Sequence, residues 1–190
     1  MAKLKNSTIF SHSLTLLVVV TITLMLNSCK QTTPPPDKGL VIYRSSNIKG
    51  YQDKPIIIDY PFVKTMNTIN NYAKESNITL YVTSSFRKVN QKVKGAIVTP
   101  ARRSNHLAGH AIDMNISYKG KWYDSKLMNK NNFNKLPVNI RSFFNKIRNN
   151  PNIRWGGDFS RQDPVHIDDY LNKNHKLWLI RYKKCQYSQN

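Results

Sequence analysis

Cysteine is scarce in this chain of 190 residues: only Cys29 and Cys185 are present, too few for a disulfide framework. Acids are scarce too, ten Asp and Glu against thirty Lys and Arg, for a formal net charge of +20. Such a balance raises the question of nucleic acid. The basic residues are dispersed, however, and no nucleic-acid-binding motif accompanies them, so anionic polymers or phospholipid headgroups are the expected partners, with compositional drift in an Asn-, Lys- and Ile-rich chain as the alternative. There is no internal repeat and no second shift in composition. The longest apolar run, Leu14 to Leu26, falls short of the roughly 20 residues an ordinary membrane-spanning helix needs.

What that run does fit is an export signal. Lys3 and Lys5 precede it, and Leu26-Asn27-Ser28-Cys29 closes it with the small residues and cysteine of a bacterial lipoprotein signal peptide. The expectation is removal of residues 1–28 and acylation of Cys29, which would tether the chain to an envelope membrane outside the cytoplasm. Residues 29–39 contain Pro34-Pro35-Pro36, a stiff, extended spacer suited to holding a domain off that membrane. With Cys29 lipidated, Cys185 has no intramolecular partner. Loss of a leader with two lysines and no acids leaves 28 basic and 10 acidic residues, a net +18. Residues 40–190 are long enough for one hydrophobic core and are expected to form one catalytic domain.

The five histidines are not equivalent. His12 lies in the leader and His175 in a polar stretch, but His106 opens the segment Ser104-Asn105-His106-Leu107-Ala108-Gly109-His110-Ala111-Ile112-Asp113, and His166 follows Asp163-Pro164-Val165. Asp113 sits inside the apolar, strand-like run Ala111–Ile116, where a carboxylate is costly to bury without a partner or a metal. Gly109 and Ala111 are small enough to let backbone approach a metal closely. His106, Asp113 and His166 therefore read as two imidazoles and a carboxylate around one zinc ion, with a fourth position left for water, as catalysis requires. The spacing is not the helical His-Glu-x-x-His of other zinc peptidases. His110, four residues after His106, is read as site-lining or structural because the glycine and the strand-like run argue against a helix.

These motifs, with Trp155-Gly156-Gly157-Asp158 and Ser84-Ser85-Phe86-Arg87, resemble the zinc D-alanyl-D-alanine carboxypeptidases and L-alanyl-D-glutamate endopeptidases that cut peptidoglycan stem peptides. The resemblance runs from about Tyr81 to Asp168. It implies one zinc per chain on His106, Asp113 and His166, Asp163 as general base, and Arg87 as the group for the oxyanion or the substrate's carboxylate. Ser104 would hydrogen-bond substrate or start the turn. Two positions depart from the family: Ser85 stands where glycine is more usual, and His166-Ile167-Asp168 lacks the aromatic after the last ligand. Asp168 thus competes with Asp163 for the base; the family pattern favours Asp163, leaving Asp168 to orient His166. The Hedgehog amino-terminal domain resembles the same family and is known for signalling, so a zinc-containing envelope-binding module is the alternative to an enzyme. A basic, lipid-anchored protein without metal is a third.

Helical spacing of Phe62, Val63, Met66, Ile69, Tyr72 and Ala73, and of Ile140, Phe143, Phe144 and Ile147 between Pro137 and Pro151, predicts two helices. Strands are predicted at 78–83, 110–116, 152–155 and 164–168, with a hairpin around Tyr118–Trp122. The fold class is α+β: helices packed on a small, mainly antiparallel sheet, with the ligands at strand ends and adjoining loops. The loops 88–103 and 124–136 are expected to shape the substrate groove.

Overall fold

Both helical periodicities become helices in the computed structural model, which describes residues 38–91 and 101–187, all within one compact unit, Asp37–Asn190. The leader over 1–28, Cys29 and the linker as far as residue 37 lie outside the described residues. α1 (Val63–Glu75) buries Met66, Ile69 and Ala73, and α2 (Val138–Arg148) buries Ile140, Phe143, Phe144 and Ile147. Each stripe recurs every three or four residues, the interval that returns a helix to the same face.

The two helices pack on each other and on a sheet of strands β2 (Ile48–Gly50), β4 (Thr79–Ser84), β5 (Ala111–Tyr118), β8 (His166–Asp168) and β7 (Arg154–Trp155), in that spatial order, with β6 (Lys121–Tyr123) paired beside β8 along β5. Only the β2–β4 pairing is parallel; the others are antiparallel. β1 (Leu40–Tyr43) and β3 (Ile56–Asp59) form a separate antiparallel pair. Alternation along β5 sends Ile112, Met114 and Ile116 into the core with Leu80, Val82 and Ile167, and leaves Asp113, Asn115 and Ser117 on the open face. Each buried large apolar side chain contributes roughly 1.5–3 kcal/mol.

β4 carries one extra residue between Val82 and Ser84 relative to β5. The bulge leaves Thr83 exposed, its hydroxyl donating to the Asp113 carbonyl at 3.2 Å. A bulge re-aims the chain that follows, here Ser85, Phe86 and Arg87.

α3 (His175–Tyr187) was not apparent in the sequence. It packs on the 3₁₀ turn Asn105–Ala108, forming a smaller cluster of Leu107, Ala108, Leu171 and Trp178. Among the described residues no helix is long and apolar enough to cross a membrane.

Candidate metal centre

Three different local structures deliver the predicted ligands. His106 lies in the 3₁₀ turn before β5, Asp113 is the third residue of β5, and His166 opens β8, where antiparallel register sets it directly opposite Asp113. The predicted ligands His106 and His166 thus lie in a turn and at a strand end, whereas Asp113 sits within its strand. His106 Nε2 is 3.1 Å from Asp113 Oδ1 and 3.2 Å from His166 Nδ1, which is itself 3.1 Å from the same carboxylate oxygen.

Their outer partners decide which ring nitrogens face inward. His106 Nδ1 donates to the Ser85 carbonyl at 2.7 Å, and His166 Nε2 donates to Asp168 Oδ2 at 2.9 Å. When both rings are neutral, the inward-facing nitrogens are lone pairs, meeting each other and a carboxylate oxygen. Three acceptors so close repel unless a proton or a metal cation sits among them. Ligands about 2.0–2.1 Å from a tetrahedral zinc stand about 3.3 Å apart. Donor chemistry and spacing both fit a metal ion, and these three residues form a group that could hold one.

Burial alone would raise the Asp113 carboxyl, but the facing His106 and His166 rings outweigh it and hold it well below the usual carboxylate range. His166 moves the other way: burial lowers it, and hydrogen bonds to Asp113 and Asp168 overcome that, raising it to about 9. Asp168 is buried, yet its bonds with His166 and Arg154 hold it low. Arg154 grips both its oxygens, at 2.6 and 2.8 Å, and the Tyr170 amide donates to Oδ1 at 3.0 Å.

Asp163 differs from Asp168 in nearly every respect. It precedes Pro164 and β8, interacts electrostatically with Asp113, His166 and His106, and makes no side-chain hydrogen bond among the described residues. Burial first, and the neighbouring Asp113 second, raise its pKa against the opposing pull of the two histidines. Gly156 allows this approach: a Cβ there would meet the Asp163 carbonyl oxygen at 2.3 Å and His166 Cβ at 2.9 Å. The turn is closed by Asp163 N–H on the Gly156 carbonyl and by the Trp155 indole on the Pro164 carbonyl, both within 2.8 Å.

Arg87 is 8% exposed and has no carboxylate at ion-pair distance among the described residues. Burial lowers its pKa and Asp113 opposes that. Its Nη2 donates to Ser104 Oγ at 3.2 Å, so the structure brings those two predicted residues together, and its backbone N–H donates to the His106 carbonyl at 3.0 Å. Arg87 lines a cavity of about 610 Å³ with Lys54, Ile57, Thr83, Ser85 and Phe86. Ser85 Oγ accepts from the Ile57 amide at 3.1 Å, which gives the serine a place where the family more often has glycine.

His110 is not part of the group that could hold a metal. Its Nδ1 bonds Asp169 at 2.6 Å and its Nε2 bonds Asp59 at 3.1 Å. Asp59 also accepts from Arg181 of α3, and the Cys185 thiol donates to the Ala108 carbonyl, so α3 pins the turn that carries His106. Sequence reasoning missed Ser85's carbonyl, Arg154 and Arg181. A carbonyl carries no side-chain signal, and each arginine is one of many cations; only the position of Arg154, directly before Trp155-Gly156-Gly157, sets it apart.

No curated protein matches the chain. A stretch containing all three ligands, together with Ser104, Asp163 and Asp168, does match a family: residues 98–169 fit the family model described as D-alanyl-D-alanine carboxypeptidase, in support of the family that the motifs resemble.

Proposed function

We propose that this chain is a zinc-dependent peptidase of peptidoglycan stem peptides, exported and tethered to a bacterial envelope membrane through lipid on Cys29. The reading rests above all on the convergence of His106 Nε2, Asp113 Oδ1 and His166 Nδ1 beside Asp163, a carboxylate with no side-chain hydrogen bond among the described residues, and the buried Arg87, which feels the charge of Asp113. His106, Asp113 and His166 would hold the metal. Zinc bound there supplies Lewis-acid chemistry, acidifying water and polarising a carbonyl.

The remaining work falls to the chain's own groups. Asp163 accepts the proton of the attacking water and returns it to the leaving amine; its raised pKa suits a group that must both take and give. Arg87 offsets negative charge on the scissile carbonyl oxygen or binds the substrate's carboxylate, steadied by Ser104. Asp168 keeps the proton of His166 on Nε2 and the lone pair of Nδ1 towards the metal. Asp168 is not the base, because His166, Arg154 and the Tyr170 amide occupy its oxygens. Cleavage yields an amine and a carboxylate without a covalent enzyme intermediate. The strongly basic surface favours contact with anionic envelope polymers.

The test is incubation of the purified chain with defined muropeptides, with zinc and with chelator, followed by mass spectrometry. Loss of a terminal D-alanine identifies a carboxypeptidase, and a cut after L-alanine an endopeptidase. Asp163→Ala should bind zinc and turn over neither substrate. A folded, zinc-loaded chain that cuts neither bond would favour an envelope-binding module instead.

A further inference from the structure

The open face of the main sheet carries a second feature in line with the metal ligands. Asn115 and Ser117 share Asp113's side of β5, and the pairing register sets Tyr81 opposite Asn115 and Trp122 opposite Ser117. The two rings meet over the strand with centroids 5.0 Å apart, and Tyr51, from the turn after β2, stands 5.8 Å from Trp122. Trp122 is 38% exposed and Tyr51 39%. The core lies on the opposite face of these strands, so this aromatic surface is not needed to close it.

The turn that presents Tyr51 is strained. Gln52 and Asp53 both adopt left-handed backbone, φ 54° and 58°, and a Cβ on Gly50 would meet the Lys54 carbonyl at 1.8 Å. Strain held by non-glycine residues in an exposed turn points to a function for what the turn carries. Lys54, at the end of that turn, lines the same cavity as Arg87.

We propose that Tyr51, Tyr81 and Trp122 form a stacking subsite for a pyranose ring of the glycan strand that bears the stem peptide, and that this subsite directs cleavage to the bond nearest the glycan. The proposal rests on the peptidase reading above. A pyranose presents a face of C–H bonds that packs on the negative face of an aromatic ring. Its hydroxyl rim needs polar partners, which Asn115, Ser117 and Thr79 offer on the same side of the sheet. Distance selects the bond. At about 3.4 Å per residue, Asn115 and Ser117 lie about 7 and 14 Å along β5 from Asp113. In an extended substrate, a sugar joined through its lactyl ether and one alanine sits roughly 7–10 Å from the bond after that alanine. A bond three residues further along the stem adds roughly 10 Å, which carries the sugar past the aromatic surface. The arrangement thus matches the L-alanyl-D-glutamate bond.

Two measurements on the full chain test this. In the first, the disaccharide of N-acetylglucosamine and N-acetylmuramic acid, without peptide, is titrated while the Trp122 indole N–H is followed by NMR. The expected result is a saturable shift of that resonance; no shift overturns the subsite. In the second, kcat/KM is compared for disaccharide-linked and free stem peptide. Trp122→Ala should lower the preference for the linked substrate about tenfold, the size of one good aromatic contact. Tyr51→Ala, in an exposed turn, gives the same comparison should Trp122→Ala fail to fold. An unchanged preference in both variants overturns the proposal. The titration needs no turnover, so a chain that binds the disaccharide and cuts nothing would sink the peptidase reading, and with it the directing of cleavage, while leaving the sugar subsite standing. One that cuts free peptide and ignores the sugar would sink the subsite alone.

Discussion

At the scale of residues, the site depends on where two histidine protons are held. His166 keeps its proton on Nε2 only because Asp168 accepts it, and Asp168 remains charged in a buried position only because Arg154 grips both its oxygens. Asp168→Asn should therefore act on the metal before it acts on the fold. An amide oxygen can still accept from His166 but carries no charge to strengthen the ring's basicity, so zinc affinity should fall about 10–100-fold. Competition against a zinc-buffering chelator measures it, and unchanged affinity would mean that the backbone of β8 alone orients His166. That His106, Asp113 and His166 could hold a metal was legible in the sequence, because a carboxylate inside an apolar strand needs a partner and the histidines fall in a spacing that resembles a zinc peptidase family. Their supports were not, since the Ser85 carbonyl that holds His106 is present at every residue of every protein.

Among the elements, α1 and α2 were legible because their buried faces are uniformly apolar and repeat every three or four residues. α3 escaped because its inward positions are Trp178, Arg181 and Cys185, with an arginine where the pattern calls for an apolar residue. What makes Arg181 acceptable is remote in sequence: fully buried Asp59 accepts both its Nε and its Nη2. Removing one partner of a buried pair strands the other, so Arg181→Met should cost about 3–5 kcal/mol in chemical denaturation, and Asp59→Asn in the same chain should return part of that. A return of nothing would show that Arg181 acts by packing instead. His110 belongs to the same network. Burial lowers its pKa, and hydrogen bonds with Asp169 and Asp59 overcome that, raising it from 6.5 to about 8. A raised histidine stabilises the fold fully below pH 6.5, where folded and unfolded chains both carry the proton. As pH rises the unfolded chain releases it first, and the contribution, about 2 kcal/mol, is lost by the time pH passes about 8. Unfolding free energy of the zinc-loaded chain across that window should show the decline, and His110→Gln should flatten it.

For the whole molecule, the candidate metal centre is the point where separately built parts meet. His106 arrives on a turn held by α3, Asp113 on the strand that faces the core of α1 and α2, and His166 on β8, next to the strand and turn that begin with Arg154. Three inward acceptors with no cation between them oppose this convergence, whereas an ion among them favours it, so metal binding there would be linked to folding. The linkage has a size. Free zinc at a hundredfold excess over its dissociation constant stabilises the folded chain by about 2.7 kcal/mol, and for a domain of this length each kcal/mol is worth about 2–4 °C. Chelation should therefore lower the melting temperature by roughly 5–10 °C. His106→Ala, which removes a ligand without touching Asp59, Arg181 or the Asp168–Arg154 pair, should melt at one temperature with or without chelator. Calorimetric scans of both proteins, with and without chelator, decide the matter. A wild-type melting temperature indifferent to chelator would mean that the three acceptors are accommodated by a proton shared with His166, and the metal centre would then lose its physical basis.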